Sequence, residues 1–292
     1  MSNTGMIIEE RSRDIGDFLV GRLIPFRKKR MVGPFIFIDH MGPSKVGAGK
    51  YLDVGQHPHI GLSTLTYLME GTILHRDSIG SVQRIEPGSV NWMTAGSGVV
   101  HTERTPTELR GGSTHTLHGY QIWVALPKVH EEITPSFHHV SKDDIPRWSQ
   151  GGFDIKLLAG KAFNRQSPVP VYSPLFMLDI QANKTDRFVA DGQLNGEIGI
   201  CVVNGQIQAC GEQIGAGNML VSKTNDLCDI QVDEGTHLLI FGGEAFPEER
   251  FIYWNFVSTS KERIETAKQD WAGRKFDMVP EESDYVPLPG MA

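Results

Sequence analysis

The chain has 292 residues, a length typical of two domains of ordinary size. Hydrophobic residues make up 39% and charged residues 22%, which is the composition of a globular protein and excludes wholesale disorder. The formal net charge of −7 excludes the basic footprint of a general nucleic-acid-binding protein, and no apolar run approaches the roughly 18 residues of a membrane span.

The amino-terminal residues and the cysteines bear on where the protein works. Residues 1–14, MSNTGMIIEERSRD, carry acidic side chains and lack an apolar core, so they do not form a secretory signal. The three cysteines, Cys201, Cys210 and Cys228, are odd in number and lack metal-site spacing. We therefore expect a cytoplasmic protein with buried or free thiols.

The basic run at 27–30, RKKR, is the first local feature along the chain. Runs of this kind serve as localisation signals or anion-binding patches in some proteins. In an acidic chain, four such residues more simply form a solvated hairpin tip, which is what we predict here.

Short apolar runs rich in Ile, Val, Leu, Phe and Thr recur along the chain, and most are bounded by Gly, Pro, Asn or Asp. Glycine contributes 32 residues, about 11% of the chain against roughly 7% on average. Runs of this length between turn residues predict an all-β sandwich or barrel. The predicted strands include residues 34–38, 63–68, 121–125, 175–180, 198–203 and 237–241.

Two pairs of polar residues at strand spacing predict a metal site. His57 and His59 are two positions apart, as are His101 and Glu103, and residues i and i+2 of a strand point to the same face. If the two strands are neighbours, three imidazoles and one carboxylate meet. This donor set suits Fe(II), Mn(II), Ni(II), Cu(II) or Zn(II). The alternative is that these are unrelated surface or core residues.

The other histidines do not show the same pattern as clearly. We predict that His75, after the turn at Gly71, is a hydrogen-bonding loop residue. His115 and His118 precede an apolar strand and either line the mouth of the barrel or lie outside it. His138 and His139 are predicted to be solvated in the linker between the two halves.

The two halves of the chain share a layout of strands and glycine turns, which predicts an internal repeat. Aligning Gly71 with Gly205, and Gly88 with Gly217, gives two similar barrels. We place the first at 1–130, with the metal site, and the second at 150–245. Residues 246–292 then form a carboxyl-terminal strand, helix and tail.

The repeat also predicts that the second barrel holds no metal. The offsets of the four ligand candidates from their glycines lead to Asp191, Gln193, Ile230 and Val232. Two of these side chains are hydrocarbon, so the set cannot bind a transition metal.

Helical signals are confined to two places. Residues 143–148 are predicted to form a short turn of helix. Thr259 and Glu262 have capping-box spacing, and Gly273 supplies a stop. The helix between them has Ile264, Ala267 and Trp271 on one face. The Pro-rich acidic tail at 279–292 is predicted to be extended over the surface.

Several segments resemble the pirin family of the cupin superfamily. The resemblance implies an all-β bicupin, two jelly-roll barrels in tandem with a carboxyl-terminal helix, and a mononuclear iron held by His57, His59, His101 and Glu103. The matching segments are GPFIFIDHMGP (33–43), HPHIGLSTLTYLMEG (57–71), PGSVNWMTAGSGVVHTER (87–104), HGYQIWVALP (118–127) and, more loosely, FGGEAFPEE (241–249).

The ligand pattern departs from that of ordinary cupins. They place a glutamate four or five residues after HxH, where this chain has Ser63 and Thr64. The carboxylate comes instead from Glu103, as in pirins. Inference from oxalate-cleaving or sugar-isomerising cupins is weakened accordingly.

The resemblance implies two functions. The first is a quercetin (flavonol) 2,3-dioxygenase that uses dioxygen. For that function we predict Glu103 as the base, with Leu68, Ile122 and the aromatic strands as pocket walls. The alternative is an iron-binding, redox-responsive regulatory protein that acts through protein contacts. A sugar-phosphate isomerase is disfavoured, because no basic pair for phosphate accompanies the ligands.

Overall fold

Short strands account for most of the chain in a computed structural model that describes residues 4–14, 19–112, 114–190, 192–222 and 230–291. The amino-terminal strands are β1 Thr4–Glu9, β2 Arg11–Asp14, β3 Leu19–Ile24, β4 Phe35–Val46, β5 Asp53–His59, β6 Leu62–Glu70, β7 Ile73–Asp77, β8 Val82–Ile85, β9 Val90–Thr94, β10 Val99–Arg104, β11 His115–Ala125 and β12 Ser136–Val140. Short 3₁₀ turns occupy Thr107–Leu109 and Lys128–His130.

The second half of the chain is also built mostly from short strands. Each of the six predicted strand segments falls in a strand or begins one residue before it, which confirms the all-β prediction. The remaining elements are β13 Arg147–Gln150, β14 Phe153–Ala162, β15 Arg165–Gln166, β16 Leu175–Ala182, β17 Asp186–Phe188, β18 Glu197–Asn204, β19 Gln206–Ala209, β20 Glu212–Gly215, β21 Asn218–Ser222, β22 Ile230–Val232, β23 His237–Gly243, β24 Phe251–Tyr253, β25 Phe256–Ser258 and α1 Lys261–Ala272.

The chain divides into two compact units, each built from separate segments. The first barrel comprises Ser12–Val20, Asp39–His139 and Pro247–Ala292. The second barrel comprises Met1–Arg11, Gly21–Ile38 and Val140–Phe246.

The sheet order shows the internal repeat directly. In the first barrel one sheet runs β5-β10-β7-β8 and the other contains the order β9-β6-β11-β4. In the second barrel the corresponding orders are β17-β22-β19-β20 and β21-β18-β23-β16. Each of these eight strands of the first barrel therefore has a counterpart twelve strands later, and the prediction of two tandem cupin-type barrels is confirmed.

The glycines used to align the repeat lie at equivalent turns. Gly71 links β6 to β7 with φ of +85°, and Gly205 links β18 to β19 with φ of +78°. A side chain at either position would be strained, which explains why both turns keep glycine. Gly88 likewise lies between β8 and β9, and Gly217 lies between β20 and β21.

The described residues in the interior of the second barrel are hydrocarbon. Strand pairing shifts the alignment of the two halves by two residues. Ala209 is the counterpart of His75 by its distance from the aligned glycine, and Ile230 lies opposite Ala209 as Glu103 lies opposite His75. Ile230, and not Val232, is therefore the counterpart of Glu103, while Asp191 lies outside the described residues. The barrel's buried core consists of Phe153, Ile155, Leu157, Ala162, Phe163, Phe176, Leu178, Ile180, Ala182, Phe188, Leu194, Ile198, Ile200, Val202, Ile207, Ala209, Ile214, Leu220, Ile230, Val232, Leu238 and Ile240.

The structure confirms one local prediction and contradicts another. Phe26 pairs with Lys29 across a turn whose two central residues are exposed, so the basic run is a hairpin tip as predicted, although Lys29 itself is ion-paired with Glu197. The predicted helical turn at 143–148 is wrong. Residues 142–144 form a turn, and Arg147–Gln150 pairs with β14 as a strand.

The cysteines do not all behave as expected. Cys201 is a buried free thiol, and burial raises its pKa above the usual range. Cys210 is disulfide-bonded, so the expectation of free thiols is wrong for this residue. Cys228 lies outside the described residues.

The carboxyl-terminal helix forms as predicted, with a shifted cap. Ser260, not Thr259, is the N-cap, and its Oγ accepts a hydrogen bond from the backbone N–H of Arg263. Thr259 is engaged elsewhere: its N–H and its hydroxyl both donate to the Glu131 carboxylate. The predicted buried face is confirmed for Ile264, Ala267 and Trp271.

The tail at 279–291 contains neither helix nor strand and turns at 280–281 and 289–290, and it is anchored rather than loosely draped. Gln56, fully buried in β5, accepts a hydrogen bond from the N–H of Val279 and donates one to the carbonyl of Asp284. The main-chain carbonyl of Gln56 accepts a hydrogen bond from the N–H of Val286. We call residues 279–288 the carboxyl-terminal strap. It lies against the strand that carries His57 and His59.

Candidate metal centre

Three neighbouring strands of the first barrel bring six polar side chains together. His101 lies opposite His57 on β5 and opposite Asp77 on β7, and Glu103 lies opposite His75 on β7. Residues directly opposite in an antiparallel pair share a face, so the set converges on one side of the sheet. All six are buried: His57, His59, His75, Asp77, His101 and Glu103.

The three predicted imidazole ligands meet. His59 Nε2 lies 3.1 Å from His101 Nε2, and the ring centres of His57 and His101 are 4.3 Å apart. His57 Nδ1 is 2.8 Å from the carbonyl of Gly55, to which it donates, so its Nε2 carries the free lone pair. The three rings can thus hold one metal ion.

Burial keeps these imidazoles neutral. Desolvation lowers the pKa of His57 from 6.5 to about 4, although the Gly55 carbonyl partly opposes the shift. Desolvation and the neighbouring histidines also lower the pKa values of His59 and His101 well below the usual range. Metal ions bind the neutral form of imidazole, so the site is ready for a metal at neutral pH.

Glu103 is displaced from the position that simple alternation predicts. A β-bulge lies between His101 and Glu103 where β10 pairs with β5, so Glu103 lies opposite Val54. The pairing with β7 is uninterrupted. The carboxylate therefore groups with His75 and His101, all ligand atoms lying within 4.8 Å of one another, and shares only His101 with the imidazole group.

Glu103 has an unusual electrostatic environment. Burial raises the pKa of its carboxyl group, an effect partly opposed by His75 and by a hydrogen bond from Thr66. Thr66 Oγ1 lies 3.2 Å from Glu103 Oε1 and 2.8 Å from Gln121 Oε1. A carboxyl group with a raised pKa takes up a proton more readily than an exposed one.

His75 and Asp77 are functional candidates that the sequence interpretation missed. His75 lies in β7 rather than in a loop, and both side chains are buried. His75 Nε2 is 3.0 Å from Asp77 Oδ2, and its Nδ1 is 3.3 Å from His101 Nδ1. The signal was present, since His75 and Asp77 repeat the two-residue spacing of His101 and Glu103.

The opposite sheet supplies the facing wall. Thr66 of β6 pairs with Gln121 of β11, and Trp123 packs edge-on against His59 with ring centres 5.0 Å apart. Ile122, predicted as a wall, points to the other face because strand side chains alternate. Leu68 is buried in a separate hydrophobic cluster of this barrel.

The remaining histidines lie away from the converging set. His118 Nε2 lies 2.9 Å from His40 Nε2, and His115 is half-buried. His138 and His139 are exposed, as predicted, but they lie in β12 and not in a linker, and the His139 ring hydrogen-bonds Asn91 Oδ1.

We expect the metal-free protein to lose stability in acid. Between pH 6.5 and about 4 the unfolded chain binds a proton at His57 that the folded chain does not. The free energy of unfolding therefore falls with decreasing pH, by about 1.4 kcal/mol per pH unit for His57 alone. Denaturant unfolding at pH 7 and pH 5 measures the slope. His57→Gln should show a shallower slope, and an unchanged slope in that variant would contradict the assignment.

The family model described as Pirin matches residues 18–124, and the one described as Pirin C-terminal cupin domain matches residues 177–277. A pirin-like protein of Caulobacter vibrioides is 44% identical over 97% of this chain and 99% of its own length. None of the helices in the described part of the chain is long and apolar enough to cross a membrane.

Two further relatives carry an activity in their names. A Pseudomonas aeruginosa protein, provisionally named a quercetin 2,3-dioxygenase, is 38% identical over 90% of this chain and 82% of its own length. A crystal structure of quercetin 2,3-dioxygenase from Acinetobacter baumannii superposes with a TM-score of 0.90 at 34% identity, covering 98% of this chain and 95% of that one.

Proposed function

The chain belongs to the pirin family, and from that premise we propose that it is a metal-dependent 2,3-dioxygenase of flavonols such as quercetin. The observation that carries the proposal is the convergence of three buried neutral imidazoles beside a buried carboxylate of raised pKa. The names of the Pseudomonas and Acinetobacter relatives support the choice of substrate class.

The donor set fits a divalent transition metal. His57, His59 and His101 would hold the ion through their Nε2 atoms, with Glu103 as the fourth ligand. Imidazole and carboxylate donors together suit Fe(II), our first choice, and also Mn(II), Ni(II), Cu(II) and Zn(II). When bound, the metal would lower the pKa of a coordinated hydroxyl group and supply the oxygen chemistry.

The chain's own residues would position the substrate and move one proton. We assign Glu103 as the base that accepts the proton of the flavonol 3-hydroxyl. Its position suits this role, because its ligand oxygen lies within 4.8 Å of the ligand atom of His101, beside the place where the 3-hydroxyl would bind the metal. Thr66 would orient the carboxylate, and Trp123 and Gln121 would offer an apolar surface and a hydrogen-bonding group to the flavonol.

Oxygen uptake with quercetin tests this proposal. We expect metal-dependent consumption of oxygen by the purified protein above the rate of the same metal free in solution. Elemental analysis of the same sample identifies the bound ion, and samples loaded with Fe, Mn, Ni, Cu and Zn are compared. If no loaded form exceeds the free-metal rate, the dioxygenase proposal fails, and the redox-responsive regulatory function becomes the one to test.

A further inference from the structure

A line of hydrogen bonds leads away from the imidazole cluster. His101 Nδ1 lies 3.3 Å from His75 Nδ1, and His75 Nε2 lies 3.0 Å from Asp77 Oδ2. The other Asp77 oxygen, Oδ1, accepts the backbone N–H groups of Ile79 and Ser81 at 3.2 Å and 2.8 Å. The line therefore ends on a carboxylate that is fixed to the backbone of the following turn.

Only one arrangement of protons gives each hydrogen bond in this series one donor and one acceptor. When His101 presents Nε2 to a metal, its proton resides on Nδ1 and must be donated. The acceptor at that position is His75 Nδ1, so His75 must carry its own proton on Nε2. That proton points at Asp77 Oδ2, a carboxylate oxygen that accepts it.

The surroundings hold the line in place. His75, Asp77 and His101 are each at most 2% exposed. The His75 ring stacks on Phe137, with centres 4.6 Å apart and planes 23° from parallel. The β7–β10 pairing places His101 directly opposite Asp77 without a bulge.

We propose that His75 and Asp77 are positioning residues that fix the tautomer and orientation of His101 in the metal centre. The inference rests on the metal centre proposed above and adds two residues to it. Metal-binding histidines commonly donate their second N–H to a carboxylate, and loss of that partner typically weakens metal affinity about 10–100-fold. Here a second imidazole is inserted between the ligand and the carboxylate.

Three variants separate this role from simple packing. Asp77→Asn keeps the shape and the Oδ1 acceptor, but its amide nitrogen donates to His75 Nε2. The His75 proton must then sit on Nδ1, facing the N–H of His101. His75→Phe keeps the ring stack and removes both hydrogen bonds. His75→Gln keeps an acceptor and a donor and is the conservative control.

The measurement is Co(II) affinity, by chelator competition, together with the visible absorption of bound Co(II), which reports ligand geometry. We expect Asp77→Asn and His75→Phe to bind Co(II) about 10–100-fold more weakly, with an altered spectrum, and His75→Gln to stay near wild type. Circular dichroism checks folding. If Asp77→Asn does not fold, the comparison of His75→Phe with His75→Gln decides.

The outcomes distinguish the two proposals. Wild-type affinity and spectrum in both Asp77→Asn and His75→Phe would overturn the positioning role while leaving the metal centre intact. Equal weakening by His75→Phe and His75→Gln would also overturn it, because packing would then explain the loss. Failure of the wild type to bind Co(II), or normal binding by His101→Ala, would instead remove the metal centre itself.

Discussion

Replacing His101 with alanine is expected to remove most of the metal from the protein. The substitution deletes a fully buried imidazole whose ring centre lies 4.3 Å from that of His57 and 5.0 Å from that of His59, and so removes one of the three grouped nitrogen donors. The loss of affinity should exceed the 10–100-fold typical of residues that only support a ligand. Elemental analysis of the purified variant, after confirmation that it folds, gives the metal content per chain.

The matched control lies in the second barrel. We expect one metal per chain in the wild type, and unchanged content after Gln193→Ala combined with Asp191→Ala. Gln193 is half-buried beside a barrel whose described interior is hydrocarbon. Two metals per chain, full occupancy in His101→Ala, or metal loss from the folded control would contradict this assignment.

Glu103→Gln is expected to reduce turnover far more than metal binding. Glutamine keeps the size and an oxygen donor but removes the charge and the basicity, while three imidazoles remain to hold the ion. General-base catalysis typically contributes about 10²–10⁴-fold, so the rate per bound metal should fall by that factor. Oxygen uptake must therefore be divided by the metal content of the same sample.

Thr66→Val provides a graded comparison. It removes the hydroxyl that lies 3.2 Å from Glu103 Oε1 and leaves the carboxylate. We expect its rate to fall less than that of Glu103→Gln. Normal turnover by a fully metallated Glu103→Gln protein would show that Glu103 is not the base and that the proton goes elsewhere.

Much of the fold follows from local patterns in the sequence. Alternating apolar runs and glycine turns are local features, and they predict the strands and the repeat. The cap of α1 was displaced by one residue because Glu131, distant in the chain, engages Thr259. The prediction of a helical turn at 143–148 was wrong because the pairing of Arg147–Gln150 with β14 outweighs the local preference for helix there.

The candidate site likewise has a part that follows from the sequence and a part that depends on contacts between strands. Strand parity predicts that His57 and His59 share a face, because alternation is a property of a single strand, and the pairing of β10 with β5 then brings His101 to them. The displacement of Glu103 was not predictable, since the bulge exists only where β10 meets β5. His75 and Asp77 had the required spacing, but their role depends on lying beside β10.

The carboxyl-terminal strap sets an order of events during synthesis. The two partners of the buried Gln56 amide, Val279 and Asp284, are made about 175 residues after Glu103. At roughly 5–20 residues per second the ribosome needs about 10 to 35 s to cover that distance. All proposed ligands have thus been translated well before the segment that braces β5, the strand of His57 and His59, and we expect the nascent chain to acquire its mature metal affinity only after translation of the strap.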